Sequence, residues 1–339
     1  MIKRENYLLL YKHLAYRANV MQNDEGTIHT YWQSLKHLIQ WADARSLQDA
    51  PKIIPAFPEY LLTARNDGYE KPLTPKYMGK VLSHARAFFD WLRLYERGYS
   101  GISEGFINTL QVRRSAGSQS RLQEREYWKL EDMQRIAALK PENLRERRDQ
   151  AAACFLFLSA MRIGAFVTLP VECVDLVRMR VEQLPEKGVH TKNSKAAVTF
   201  LLSISDDLLE VVRVWDAFVR REGVHNWYPA IDKRDFTKST LTKEKFTGAS
   251  RSEYQGRVQA FVEGLKMLCE KADVPYKSPH DIRHGFGVYG VKNSKNMGQL
   301  KAISQNMMHA NVGITDGIYG KLAEDDLSDM LSNFGKDSN

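Results

Sequence analysis

The stretch Ser278-Pro279-His280-Asp281-Ile282-Arg283 carries the most concentrated chemistry in the chain. Ser278 is a favourable N-cap, and Pro279 then falls at the first helical position, where its missing N–H costs nothing. The spacing predicts a helix that starts there, with His280 and Arg283 three residues apart on one face of its first turn. That turn also carries unpaired backbone N–H groups and the positive end of the helix dipole. A histidine, a guanidinium and a helix N-terminus together suit an anionic oxygen, and a phosphate first of all. Taken alone, the same pattern also fits a capped helix with solvated polar residues.

Three further pieces give it weight. Leu158-Ser159-Ala160-Met161-Arg162 places an arginine at the end of a buried helix, where a charge is costly unless it meets an anion. Thr191-Lys192-Asn193-Ser194-Lys195 puts lysines on a polar turn. The segment 308–319 holds His309 and ends in Tyr319. In order the chain reads Arg, Lys, His-x-x-Arg, His, Tyr. Each member has a plainer reading, as a helix-terminal charge, a surface lysine, a satisfied histidine or a core aromatic. The ordered set is much harder to produce by accident.

These residues need elements to hold them. In the second half, helices are expected at 130–139 and 147–161, the latter buried along its apolar run 151–158. Strand-like segments at 178–184 and 197–202 flank the polar stretch 186–195, which reads as a hairpin turn. An amphipathic helix follows at 208–219, a Lys/Thr/Ser-rich surface loop at 232–251 and a helix at 258–271. The first half reads as all-helical. Thr27 is placed to cap a helix whose apolar positions Ile28, Tyr31, Trp32, Leu35, Leu38, Ile39 and Ala42 keep the helical period. Phe57, Tyr60, Leu61 and Ala64 suggest a short helix. Thr74-Pro75 opens the strongest one, with Tyr77, Met78, Val81, Leu82, Ala85, Phe88, Phe89, Leu92 and Tyr95 as its buried stripe. Lys76, Lys80 and His84 recur every four residues on another face, which is either a phosphate-contacting face or an ordinary wet surface. Between 112 and 125 nothing can bury an apolar face, so a flexible basic linker is expected, with Arg113 and Arg114 able to track a phosphate backbone.

Composition sets the bounds. The chain has 339 residues, enough for two domains, and 43% are hydrophobic, which argues against wholesale disorder. A net charge of +8 suggests a polyanionic partner without identifying one. Cys154, Cys173 and Cys269 show neither a disulfide framework nor zinc spacing, which fits a reducing cytoplasm. A signal peptide and a membrane span are not expected.

The ordered set resembles that of the tyrosine recombinase (phage integrase) family, and the resemblance covers nearly the whole chain. It implies a mostly α fold with a small β-sheet: an all-helical core-binding domain over 1–111, the linker 112–125, and an α+β catalytic domain over 126–339 with a tail helix. Arg162 matches the family's first catalytic arginine. His280 and Arg283 match its His-x-x-Arg motif, His309 its later histidine and Tyr319 its nucleophile. Lys192 matches the hairpin lysine, with Lys195 as a competitor because the turn register stays open. The chain departs from the family at Ser159-Ala160, where Thr-Gly is usual, and at Ala165, where an acidic residue is usual. Met307-Met308 stands where Leu-Gly usually precedes the later histidine. Losing the carboxylate at 165 leaves open what orients Arg162.

The resemblance implies a site-specific DNA recombinase that works through a 3′-phosphotyrosine, without cofactor or metal. Arg162, Arg283 and His309 would neutralise the phosphate oxygens, His280 would help Tyr319 lose its proton, and Lys192 would protonate the leaving 5′-oxygen. It further implies double-stranded DNA with inverted half-sites, a dimer on one site and a tetramer at synapsis, an accessory DNA-bending protein as an optional partner, no membrane, and a cytoplasmic, nucleoid-associated location. Leu327, Met330, Leu331 and Phe334 suggest a tail helix that docks either on a neighbouring subunit or on its own domain. Two other readings stand beside this one: a type IB topoisomerase-like enzyme, and a non-catalytic DNA-binding protein on the same scaffold.

Overall fold

The structure is a computed structural model and describes residues 2–63, 73–112, 126–232, 240–246, 248, 251–309, 311–313 and 315. The chain divides into two compact units, Met1–Gln123 and Glu124–Asn339.

The first unit is built from α1 (Arg4–Asn19), α2 (Glu25–Ala42), α3 (Phe57–Thr63), α4 (Pro75–Tyr95) and α5 (Glu104–Thr109). α4 starts as the sequence predicts: Thr74 Oγ1 accepts from the Tyr77 N–H at 3.3 Å, and Pro75 takes the first helical position. Its buried face runs through Met78, Val81, Leu82, Ala85, Phe88, Phe89 and Leu92. Trp91 joins that face, whereas Tyr95, expected to end the stripe, is exposed. α2 starts a turn earlier than expected. Asp24 is the cap, accepting from the Thr27 N–H at 2.9 Å and its hydroxyl at 2.7 Å, so Thr27 lies inside the first turn. α3 follows the short helix read from Phe57, Tyr60 and Leu61; Ala64 lies outside the described residues, as does most of the linker span.

The second unit is organised around α7 (Leu144–Ser159), which follows α6 (Leu130–Ala137). Asn143 caps α7 by accepting from the Glu146 N–H at 2.9 Å, one turn before the expected start. From Asp149 to Ser159 every side chain of α7 is buried, which is why its apolar run shows no helical period. α7 is covered by α6, α9 (Asp206–Glu222), α10 (Arg251–Ala272) and α11 (Pro279–Asn293). Asp149, buried in this core, has hydrogen-bond donors for one of its oxygens. Asp149 accepts from Tyr228 Oη at 2.7 Å and from Arg148 Nε at 2.9 Å, as a buried carboxylate must.

The sheet is small and antiparallel, in the order β1 (Val174–Asp175), β2 (Arg180–Gln183), β3 (Ala197–Phe200). The β2–β3 hairpin pairs Arg180 with Phe200 and Gln183 with Ala197. Its connection is not a tight turn. It contains two 3-10 turns, Pro185–Lys187 and Lys192–Ser194. The two-residue β1 carries no alternation to read. Part of the expected surface loop at 232–251 forms a second two-stranded sheet, β4 (Ile231–Asp232) with β5 (Thr240–Leu241). α12 (Met297–Asn306), which the sequence reading passed over, follows α11 and clamps the sheet edge. Asn306 Oδ1 accepts from the Phe200 N–H at 2.7 Å, and its Nδ2 donates to Phe200 O at 3.0 Å. Among the described residues no helix is long and apolar enough to cross a membrane.

Candidate active site

α11 begins at Ser278 as its sequence dictates. Asp281 closes the first turn by accepting from the Ser278 N–H at 3.1 Å and its hydroxyl at 2.6 Å. The start is tied to the beginning of the second unit through Trp128, whose indole N–H donates to Lys277 O at 3.3 Å. Gly285 allows this approach: a Cβ there would lie 2.0 Å from the Trp128 carbonyl oxygen.

Arg283 points inward from this helix and is 4% exposed. Its guanidinium donates to the carbonyls of Ala160 and Met307. Those carbonyls belong to the C-terminal ends of α7 and α12. Each end carries the partial negative charge of a helix dipole and carbonyls with no intrahelical partner. The buried cation is therefore held by two helix ends.

Both helices stop on a left-handed residue. Ala160 takes a left-handed conformation (φ 53°, ψ 23°), and its N–H returns to Leu156 O at 3.0 Å. Met308 has φ 54°; its N–H donates to Gln305 O at 2.8 Å, and the next N–H, of His309, donates to Ser304 O at 3.1 Å. This pair of bonds is a Schellman motif with Met308 where glycine is usual. The two positions at which the sequence departs from the expected glycines are thus the two left-handed helix stops.

Arg162 follows the first stop. It does not end α7 as expected, but occupies the N-cap position of α8 (Ile163–Val167), with extended backbone (φ −72°, ψ 137°). Its side chain reaches the second stop, where Nη1 lies 3.9 Å from Met308 Sδ. His309 completes the group: its Nε2 is 3.3 Å from Arg283 Nη2, and its Nδ1 is 2.8 Å from the hydroxyl of Thr315. Burial first, then the Arg283 and Arg162 charges, lower the His309 pKa to about 4, so the ring is neutral at pH 7.

Arg162, Arg283 and His309 are brought together on the residue 307–309 turn. His280 stands exposed on the first turn of α11. Lys192 and Lys195 are exposed on the hairpin connection, Lys192 within its second 3-10 turn. Tyr319, Arg113, Arg114 and the expected tail helix lie outside the described residues. In the first unit Lys76 and Lys80 are exposed on α4. His84 departs from that basic stripe. It stacks on Tyr31 with centroids 4.0 Å apart, and burial, with Lys80 and Arg17, lowers its pKa to about 4, so it is no cation at neutral pH. The sequence reading missed Thr315, and it noted Met308 only as a departure from the expected glycine. The glycine usual at 308 is the signal for a left-handed residue there, and the methionine itself does not announce one. Among the described residues no three His, Cys, Asp or Glu side chains are grouped as metal ligands would be.

The profile of the phage integrase family matches residues 126–325, more than half of the chain. The chain belongs to the phage integrase family. It is a site-specific tyrosine recombinase, an enzyme that breaks and rejoins DNA strands. Solved structures agree in fold. A dimer of lambda integrase (75–356) bound to a COC′ core site superposes with a TM-score of 0.60 at 12% identity, covering 92% of this chain and 94% of that one. The Tn1549 transposon integrase (aa 82–397), in complex with circular intermediate DNA, gives a TM-score of 0.58 at 12% identity, covering 97% and 99%. A search of curated protein sequences returned no match.

Proposed function

We propose that the turn at 307–309 is where this recombinase grips its scissile phosphate. Arg162 and Arg283 supply the forked donors that neutralise the two non-bridging oxygens as the five-coordinate transition state forms, and His309 adds a third donor. Tyr319 attacks the phosphorus and releases a 5′-hydroxyl. The phosphodiester energy is kept in a 3′-phosphotyrosine, so a second DNA end can reverse the step without ATP. Lys192 protonates the leaving oxygen and His280 assists deprotonation of Tyr319. The observation that carries this reading is the meeting of Arg162, Arg283 and His309 on one turn, from three separate stretches of sequence.

The helical first unit acts as the core-binding domain, with Lys76 and Lys80 set against phosphates and the span 112–125, with Arg113 and Arg114, crossing between the units as a basic linker; Lys195 is a further phosphate contact. The substrate is double-stranded DNA with inverted half-sites, bound by a dimer on each site and a tetramer at synapsis, with an accessory DNA-bending protein where the site demands it. The setting is the cytoplasm, at the nucleoid. Support comes from the net charge of +8 and from the lambda integrase relative, which is a dimer on a core site.

The test uses a nicked suicide duplex carrying the core site recovered from the DNA that flanks the gene. The wild-type protein is expected to form a covalent adduct, and Tyr319→Phe to bind the duplex without forming one. An adduct that persists in the variant removes Tyr319 from its role.

A further inference from the structure

Arginine carries N–H donors and no acceptor. At 3.3 Å, Arg283 Nη2 therefore donates to His309, and Nε2 of the imidazole accepts with its lone pair. The single proton of the neutral ring then sits on Nδ1 and is donated to Thr315 Oγ1 at 2.8 Å. In this arrangement Nε2 has no proton to offer a phosphate. The ring can become a donor only if a proton reaches Nε2.

A second proton, giving an imidazolium, is opposed by the Arg162 and Arg283 guanidiniums. Exchange of tautomer is the route left: the Nδ1 proton passes to solvent water and solvent water delivers one to Nε2, so the net count is unchanged. When Arg283 turns its N–H to the arriving phosphate oxygen, it frees the Nε2 lone pair for this exchange. The partner of Nδ1 must then reverse its role, from acceptor to donor. A carboxylate or a backbone carbonyl only accepts, whereas a hydroxyl does either. Thr315 is fully buried, and its hydroxyl is aimed at Nδ1.

We propose that Thr315 is a positioning residue for His309, its hydroxyl holding the ring in both tautomers, so that His309 changes from acceptor of Arg283 in the free protein to donor to the scissile phosphate in the DNA complex. This rests on the reading of His309 given above.

Two measurements test it. Long-range 15N–1H NMR of the imidazole rings in the DNA-free wild-type protein, with His309 assigned by His309→Gln, is expected to show the Nδ1–H tautomer at pH 7; an Nε2–H pattern overturns the proposal. Single-turnover adduct formation on the suicide duplex is then compared between Thr315→Val, which keeps the shape and loses the hydroxyl, and Thr315→Ser, which restores it. Cleavage by the valine variant is expected to fall about 10- to 100-fold while its affinity for the duplex stays within about twofold. The serine variant is expected to recover to within about threefold of wild type. A valine variant that cleaves like wild type, or a serine variant no better than valine, overturns the role of Thr315. Should the valine variant not fold, the wild-type spectrum still decides, an Nε2–H pattern overturning the proposal. A wild-type protein that forms no adduct overturns the proposed function itself, a result distinct from any of these.

Discussion

Arg283 Nη2 and His309 Nε2 stand 3.3 Å apart, and the same guanidinium caps the carbonyls of Ala160 and Met307. One buried cation thus fixes the ends of two helices that are distant in sequence, and the turn it fixes carries the histidine. Arg162 reaches the same turn through Met308. A site of this kind is preorganised by backbone, so its geometry depends on how the helices stop.

The helix stops can be tested by stability. Met308 holds φ 54° without being a glycine. Met308→Gly removes the left-handed strain and is expected to raise stability by about 0.5–1 kcal/mol, whereas the β-branched Met308→Val is expected to lower it by at least about 1 kcal/mol. Urea unfolding of both variants checks the opposite signs. The glycine variant should also cleave more slowly, because Arg162 loses the thioether beside it.

The first unit should be acid-labile. His13 is buried among Tyr31, Phe88 and Trp91 with no hydrogen-bond partner for either ring nitrogen. Burial first, then Arg17 and His84, lower its pKa from 6.5 to about 3, and His84 lies at about 4. Below pH 6.5 the unfolded chain takes up protons that the folded unit refuses, so stability is full above that pH and is lost as pH falls towards about 4. The urea midpoint of this unit, followed by the indole N–H of Trp41, should drop between pH 7.5 and 4.5. His13→Phe should flatten the dependence.

Much of the helical frame was legible in the sequence, because Thr74 and Ser278 are the kinds of residue that start helices; Asn143, which caps α7, is of the same kind and was passed over. α4 also follows the apolar period closely. Three things were not legible. α7 is buried all round, so its edges carry no period, and the place of Arg162 beyond its end could not be resolved. α12 has one buried position, Ser304, and no stripe to read. The site itself is partly backbone: the carbonyls of Ala160 and Met307 are contributed by position and not by residue type. The motif order named Arg162, Arg283 and His309, and only the folded helix ends explain how they are held.

The hairpin lysines should separate by chemistry. Both are exposed on the β2–β3 connection. If Lys192 is the general acid, Lys192→Ala should slow cleavage about 100- to 10,000-fold on normal DNA, and recover on a duplex whose 5′-bridging oxygen is sulfur, which leaves without a proton. Lys195→Ala should show only weaker binding, unchanged by the sulfur. The reverse pattern assigns the role to Lys195.

The measurement closest to the central claim removes the charge that the two arginines meet. A duplex with a methylphosphonate at the scissile position lacks one negatively charged non-bridging oxygen. Arg162→Ala and Arg283→Ala should both be severely slowed on the normal phosphate, and at least one should regain much of its loss on the methylphosphonate. Equal defects of both variants on the two duplexes would contradict the assignment of these guanidiniums to the phosphate oxygens.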